Sequence, residues 1–279
     1  MHGLPSKLDQ YLRLNHKFVH GWLLPGAARM VVALADKQTA EGVSGNVAEI
    51  GIHHGKLFIL LYLLSRDNER AVAIDLFSMQ DLNVDRSGKG NLAKFRANMA
   101  RYADTTRLVV HEGDSMLFDG AQLINLAGGP CRLISVDGGH TAEITAHDLA
   151  TAEDALVTGG IIILDDVFNE MWPGVSDGTH QYFREGRSVV PFAIGGNKTL
   201  FCHPSFANRY ADALRSVAAR TTEHGFLGAR VLCCDFGPLV LRERLDRLQT
   251  WRTVKNTWPV KNARHAYRVV TAAIERFSS

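Results

Sequence analysis

Apolar residues along the chain alternate between two periods, one helical and one suited to buried strands. Segments 6–24 and 26–41 have helical spacing, parted by the Pro25-Gly26 break. Residues 46–51 (NVAEIG) read as a buried strand, followed by a turn and the helical run GKLFILLYLLSR. The same reading predicts strands at 71–76, 107–112, 131–137 and 161–165. Helices are predicted between them, at 88–102, near 117–127 and at 141–156, with a turn at Gly159-Gly160. Apolar strands alternating with helices imply a parallel sheet covered on both faces. Right-handed crossovers make such a sheet doubly wound. Beyond 165 the rhythm changes. Runs 191–194, 199–203 and 229–241 read as strands, 205–219 as a helix, and 260–277 as a terminal helix. A closing antiparallel hairpin on the sheet accounts for that change. The expected organisation is one domain over 1–279: a helical cap at 1–45, a core at 46–205, and C-terminal strands and helix at 206–279.

Composition narrows the class without naming it. The 279 residues are 46% apolar and 22% charged, with a net charge of +2, which is ordinary globular chemistry. No concentrated basic stripe argues for nucleic acid. The nearest thing to one, Arg242, Arg244, Arg247 and Arg252, is interleaved with Glu243 and Asp246 and reads as a solvated helix face. Cys131, Cys202, Cys233 and Cys234 have no CxxC spacing and read as reduced core residues. The N-terminal residues lack a signal-peptide pattern, and no apolar run reaches the ~18–20 residues that span a bilayer. The expectation is a cytoplasmic protein with no nucleic-acid or membrane partner.

In doubly wound sheets, ligands sit beyond the carboxyl ends of the strands. The first turn here is Glu49-Ile50-Gly51-Ile52-His53-His54-Gly55. Gly51 permits a tight turn, and Gly55 lets the next helix start close to a ligand. The dinucleotide fingerprint G-x-G-x-x-G is absent, which disfavours a nicotinamide oxidoreductase. An acid two residues before Gly51 suits a cationic ligand better than a diphosphate. S-adenosylmethionine (SAM), with an ammonium, a carboxylate and a sulfonium, fits that requirement. Asp75 lies 24 residues beyond Gly51, about where an acid accepts from ribose hydroxyls. Asp114, in Glu112-Gly113-Asp114-Ser115, is placed to accept from an adenine amino group. The competing reading makes Glu49 and Asp75 helix-capping acids.

Taken in order, E-x-G-x-x-x-G, the strand-end Asp75 and the later G-D-S resemble the class I SAM-dependent methyltransferases, over roughly residues 40–205. His53 stands where the common form has a third glycine. The resemblance implies a Rossmann-like, mostly parallel seven-stranded sheet. It also implies cofactor contacts from Glu49, Gly51, His53, Gly55, Asp75, Asp114, Ser115 and Asp137.

A second constellation follows strands four and five: Asp137-Gly138-Gly139-His140 and Asp165-Asp166. If those strands are neighbours, about 4.8 Å apart, the carboxylates of Asp137, Asp165 and Asp166 converge on one crevice. Converging carboxylates repel unless protonated or paired with a cation, and hard oxygen ligands suit Mg²⁺. Such an ion lowers the pKa of a hydroxyl and orients it for attack on a sulfonium methyl. His140, with a near-neutral intrinsic pKa, is the candidate proton acceptor beside Asp137. Asp137, His140, Asp148-Leu149, Gly159-Gly160 and Asp165-Asp166 together resemble the macrocin O-methyltransferase-like branch (methyltransferase family 24-like). Catechol O-methyltransferase-like enzymes share the metal layout, with Asp166 where theirs is often Asn. The bland alternatives are that Asp165-Asp166 cap a turn, that His140 starts a helix, and that His53 and His54 are turn residues.

Segment 169–183 (NEMWPGVSDGTHQYF) reads as a loop overhanging the crevice, with Trp172, His180 and Tyr182 as candidate substrate contacts. The N-terminal helices, with His16, His20 and Trp22, would supply a second wall or a homo-oligomer surface. The leading expectation is metal-dependent O-methylation of a small-molecule or glycosyl hydroxyl. A metal-free N- or O-methyltransferase and a non-catalytic SAM-binding protein are the alternatives. Clustered carboxylates disfavour the last, because a pure binder gains nothing from them.

Overall fold

The computed structural model describes residues 6–184 and 186–237. The expected tail helix at 260–277, the arginine-bearing helix face near 242–252 and the end of the 229–241 run lie outside the described residues. Among the described residues, no helix is long and apolar enough to cross a membrane.

Nine strands form one sheet: β1 Asn46–Ile50, β2 Ala71–Asp75, β3 Leu108–Glu112, β4 Cys131–Val136, β5 Leu156–Asp165, β6 Val190–Gly195, β7 Lys198–Cys202, β8 Arg220–Phe226 and β9 Ala229–Asp235. Their order is β3-β2-β1-β4-β5-β7-β6-β9-β8. The first five pair in parallel, and β7 joins β5 antiparallel, with Lys198 opposite Asp165. β6–β7 is the closing hairpin, β6 and β9 pair in parallel, and β8–β9 is a second antiparallel pair. The sheet is therefore α/β and doubly wound, two strands wider than the seven that the resemblance implies and one wider than the eight runs read as strands. The missed strand is β8, RTTEHGF, which is largely exposed and lacks the apolar alternation that marks a half-buried strand.

The helices are α1 Lys7–Arg13, α2 Pro25–Ala40, α3 Lys56–Leu64, α4 Leu92–Tyr102, α5 Gly120–Ala127, α6 Ala142–Asp154, α7 Pro173–Arg184 and α8 Pro204–Arg215. They cover both faces of the sheet, giving two apolar layers. One joins α2 and α3 to the sheet through Met30, Leu34, Phe58 and Ile161. The other joins α5, α6 and α7 through Leu123, Leu149, Val175 and Ile162. Each fully buried side chain of this kind contributes about 1.5–3 kcal/mol. β1 is buried along its whole length, because both faces are covered.

Two sequence expectations are corrected here. The Gly159-Gly160 turn lies inside β5, where the pairing register with β4 shifts, so these glycines form an irregularity within a strand. The overhanging loop at 169–183 is mostly α7. Pro173 opens that helix, and Gly178 lets it press onto α6: a Cβ there would lie 2.4 Å from the Ala142 carbonyl oxygen.

Candidate active site

The carboxyl ends of β1, β2, β4 and β5 open onto a cavity of about 730 Å³. That volume is in the range of small-molecule sites. Its position follows from strand order: β1 runs out to β2 on one side and β4 on the other, so the crevice forms between diverging crossovers. Gly51 makes the turn possible. Its φ is +87°, and a Cβ would sit 1.8 Å from the Asp137 carbonyl oxygen, so no side chain fits.

At one end of the cavity lies the β1–β2 region. Asp75 Oδ2 accepts from the backbone N–H of Ile52 and His53 at 2.6 and 2.8 Å, and Oδ1 accepts from Phe77 N–H at 2.6 Å. The carboxylate thus shapes the turn while also lining the cavity. Burial raises its pKa, against those hydrogen bonds. Asp114 and Ser115 line the same end, and Asp114 Oδ1 caps the short helix at Ser115–Leu117 through Met116 N–H. His53 also lines the cavity, in the left-handed region at φ +53°.

Glu49 and Gly55 are placed differently. Glu49 is 2% exposed and lies behind the cavity wall, with Oε2 buried and without a hydrogen-bond partner. Burial, and then the charge of Asp137, hold its pKa well above the usual carboxylate range. Gly55 is the N-cap of α3 and packs on Phe95, away from the lining residues.

At the other end, Asp137, Asp165 and Asp166 do converge, together with His140. The sequence reading missed four partners that decide their state: Lys198, Asn197, Asn169 and Asp85. Lys198 is 3% exposed, and its Nζ pairs closely with Asp165 Oδ2 and lies 4.0 Å from Asp137 Oδ2. Burial opposes its charge, yet Asp165 and Asp137 raise its pKa. Asp165 Oδ1 accepts from Asn197 Nδ2 at 2.9 Å and from Asp166 N–H at 3.0 Å. Asp166 Oδ1 accepts from Asn169 and Asn197, both at 2.7 Å. His140 lies between two carboxylates, with Nδ1 2.7 Å from Asp85 Oδ2 and Nε2 3.4 Å from Asp166 Oδ2. Burial disfavours its charge, but the bonds to Asp166 and Asp85 win and push its pKa up to about 9. Burial is likewise outweighed at Asp166, which His140 and the two asparagines hold down at about 2. Asp85 and Asp166 thus favour the imidazolium form of His140, which works against the proton-acceptor role expected from its intrinsic pKa.

The carboxylates of Asp165 and Asp166 are largely bound up with donors of the chain, which engage both oxygens of Asp165 and Oδ1 of Asp166. A different trio, Asp137, His140 and Asp166, brings ligand atoms within 4.8 Å of one another. Asp137 is the carboxylate that opens to the cavity, its side chain 30% exposed. Burial and Asp165 raise its pKa well above the usual range.

The walls are apolar. Trp172 stacks on His140, centroids 4.3 Å apart and planes 20° from parallel. Opposite stand Trp22, Leu24, Leu82 and Val84, all exposed at the rim. His180 and Tyr182, expected as substrate contacts, do not line the cavity. Tyr182 is buried and donates to Glu153, and His180 is exposed on α7, edge-on to Phe226. Asp148, named only as part of the resembling motif, is buried in α6 with Oδ2 unpartnered. All four cysteines are free; two are buried and two half-buried.

Residues 48–167 match the model of a family described as a methyltransferase domain. No curated protein matches the chain in sequence. Several solved structures share its fold. The O-methyltransferase NovP is 16% identical, with a TM-score of 0.50, over 63% of this chain and 80% of its own. An O-methyltransferase from Bacillus cereus, in complex with SAH, is 17% identical, with a TM-score of 0.50, over 72% and 91%. TomG from Streptomyces achromogenes, an O-methyltransferase of tomaymycin synthesis in complex with SAM, is 14% identical, with a TM-score of 0.50, over 72% and 91%.

Proposed function

We propose that the chain is a class I SAM-dependent methyltransferase, on the strength of the methyltransferase-domain match at residues 48–167, and that it methylates a hydroxyl of a small, partly apolar molecule. The observation that carries the reading is one cavity with Asp75, Asp114 and the Gly51 turn at one end and the Asp137 cluster at the other. The residues present fit SAM. The cavity has the volume, Asp75 and Asp114 offer acceptors, and the orphaned Glu49 Oε2 lies behind the turn, short of one donor. Asp75 would hold the ribose end, and Asp114 with Ser115 the adenine end. When bound, SAM supplies an electrophilic methyl on a sulfonium.

Asp137 is the residue we assign to take the hydroxyl proton, because it faces the cavity while Asp165 and Asp166 are occupied by donors. The Lys198 ammonium and the His140 imidazolium stabilise negative charge developing on the acceptor oxygen. They are resident cations that offset part of the cluster's negative charge. Trp22 and Trp172 flank the opening and suit an acceptor with a ring, including a sugar. Asp137→Asn is expected to lower kcat by about 10²–10⁴ while SAM affinity is kept, read by isothermal titration and by mass spectrometry of the product. Unchanged kcat would remove Asp137 from the role.

The spacing of Asp137, His140 and Asp166 favours a second reading, in which a divalent ion such as Mg²⁺ sits among them. Turnover that survives EDTA supports the resident cations. Turnover abolished by EDTA and restored by Mg²⁺ establishes the ion instead.

A further inference from the structure

Away from the acidic cluster, three histidines meet at the cavity mouth. We propose that His20, His53 and His54 form a transition-metal site of the zinc class, which clips the N-terminal segment to the turn after β1. One ring nitrogen from each lies within 4.8 Å of the other two. The His53 and His54 rings stack at 3.9 Å, and His20 faces them at 5.1 and 5.4 Å. Two nitrogens sharing a tetrahedral ion at about 2.0–2.1 Å are about 3.3 Å apart.

Two features set this cluster apart from ordinary histidine packing. His53 Nδ1 is buried and without a hydrogen-bond partner, so a group that usually needs a partner has none. His53 also holds a left-handed backbone, φ +53°, which costs a non-glycine residue of order 1–2 kcal/mol and turns its side chain beside His54.

The ligand chemistry selects the ion. An all-imidazole set suits Zn²⁺, Co²⁺, Ni²⁺ or Cu²⁺ and not Mg²⁺, which takes oxygen. Three protein ligands leave a fourth position for water. The consequence is mechanical. His20 lies on the segment that carries Trp22, whose ring is 6.0 Å from His20 and 5.5 Å from His53. That segment is otherwise held to α3 by Lys56 Nζ, which donates to the Gly21 carbonyl at 2.8 Å. An ion here would fix the Trp22 wall over the opening. The site stands on its own geometry, whatever the chain methylates.

The test uses the tag-free full-length protein, metal-stripped and dialysed against Zn²⁺ and Co²⁺. One Zn²⁺ per chain is expected, undisplaced by excess Mg²⁺, with visible Co²⁺ bands of a low-coordinate imidazole site. His20→Ala, an exposed change, should weaken Zn²⁺ binding by at least about tenfold. Zn²⁺ should raise the Tm of the natural chain and leave that of His20→Ala where it was. The Asp137→Asn/Asp166→Asn double variant should bind Zn²⁺ as the natural chain does. Failure to bind Zn²⁺, equal binding by His20→Ala, or loss confined to the aspartate variant would each overturn the site.

Discussion

His140 sits between Asp85 and Asp166, and those two carboxylates set its charge. Its folded pKa, about 9, lies above the ordinary value of about 6.5. Its contribution to stability is therefore complete below about pH 6.5 and is lost as pH rises through about 9. In metal-free buffer, the His140 ring resonance should titrate near pH 9, and Asp85→Asn should bring that midpoint down towards 6.5. A midpoint already near 6.5 in the natural chain would show that the carboxylates do not hold the proton. Lys198 makes the complementary case. It pairs with Asp165 while buried, so Lys198→Met leaves a buried carboxylate without its cation. The expected loss is about 3–5 kcal/mol in denaturant unfolding, with Asp165→Asn in the same chain recovering part of it. A loss below 1 kcal/mol would mean that the pair is hydrated rather than buried.

At the scale of elements, packing against neighbours decides what periodicity leaves open. Most of the parallel strands were legible because burial on both faces writes them largely in apolar residues, as in AVAI of β2 and IIIL of β5. β8 was not, since Arg220 and His224 on one face and Glu223 on the other are all exposed. α7 was read as a loop because its proline and glycines look like breakers. In place, Pro173 starts the helix and Gly178 makes a contact surface. Gly178→Ala should therefore destabilise by about 1–3 kcal/mol, measured by thermal or urea unfolding, although alanine is the better helix former. A gain in stability would show that α6 and α7 do not touch as described. The candidate site was legible in the same partial way. Asp75, Asp114, Asp137, Asp165 and Asp166 come from strand ends, which pattern locates. Lys198 and Asn197 come from the antiparallel strand beyond them, and only pairing order brings that strand alongside β5.

At the scale of the described molecule, two buried polar networks lie at opposite edges of the sheet. The carboxyl edge holds the cavity. The amino edge holds Arg132, fully buried at the start of β4, whose guanidinium binds both oxygens of Glu69, the Gln38 side chain and the Leu64 carbonyl. That network joins α2, α3 and β4. Burial works against the Glu69 charge, but Arg132 and Arg66 bring its pKa below the usual value, so its stabilisation is present above about pH 4.5 and lost as pH falls through the lower folded value. Glu69→Ala should cost about 3–5 kcal/mol while SAM affinity in titration is unchanged. Weakened SAM binding at full stability would show that the two edges are coupled.

Asp75 accepts three backbone N–H groups around the turn after β1. A carboxylate with that many internal donors keeps the turn in shape before any nucleoside arrives. Little conformational freedom then remains to be surrendered on ligand capture. Deuterium exchange at the Ile52 and His53 amides is accordingly expected to be slow in the free protein and to slow little further on loading.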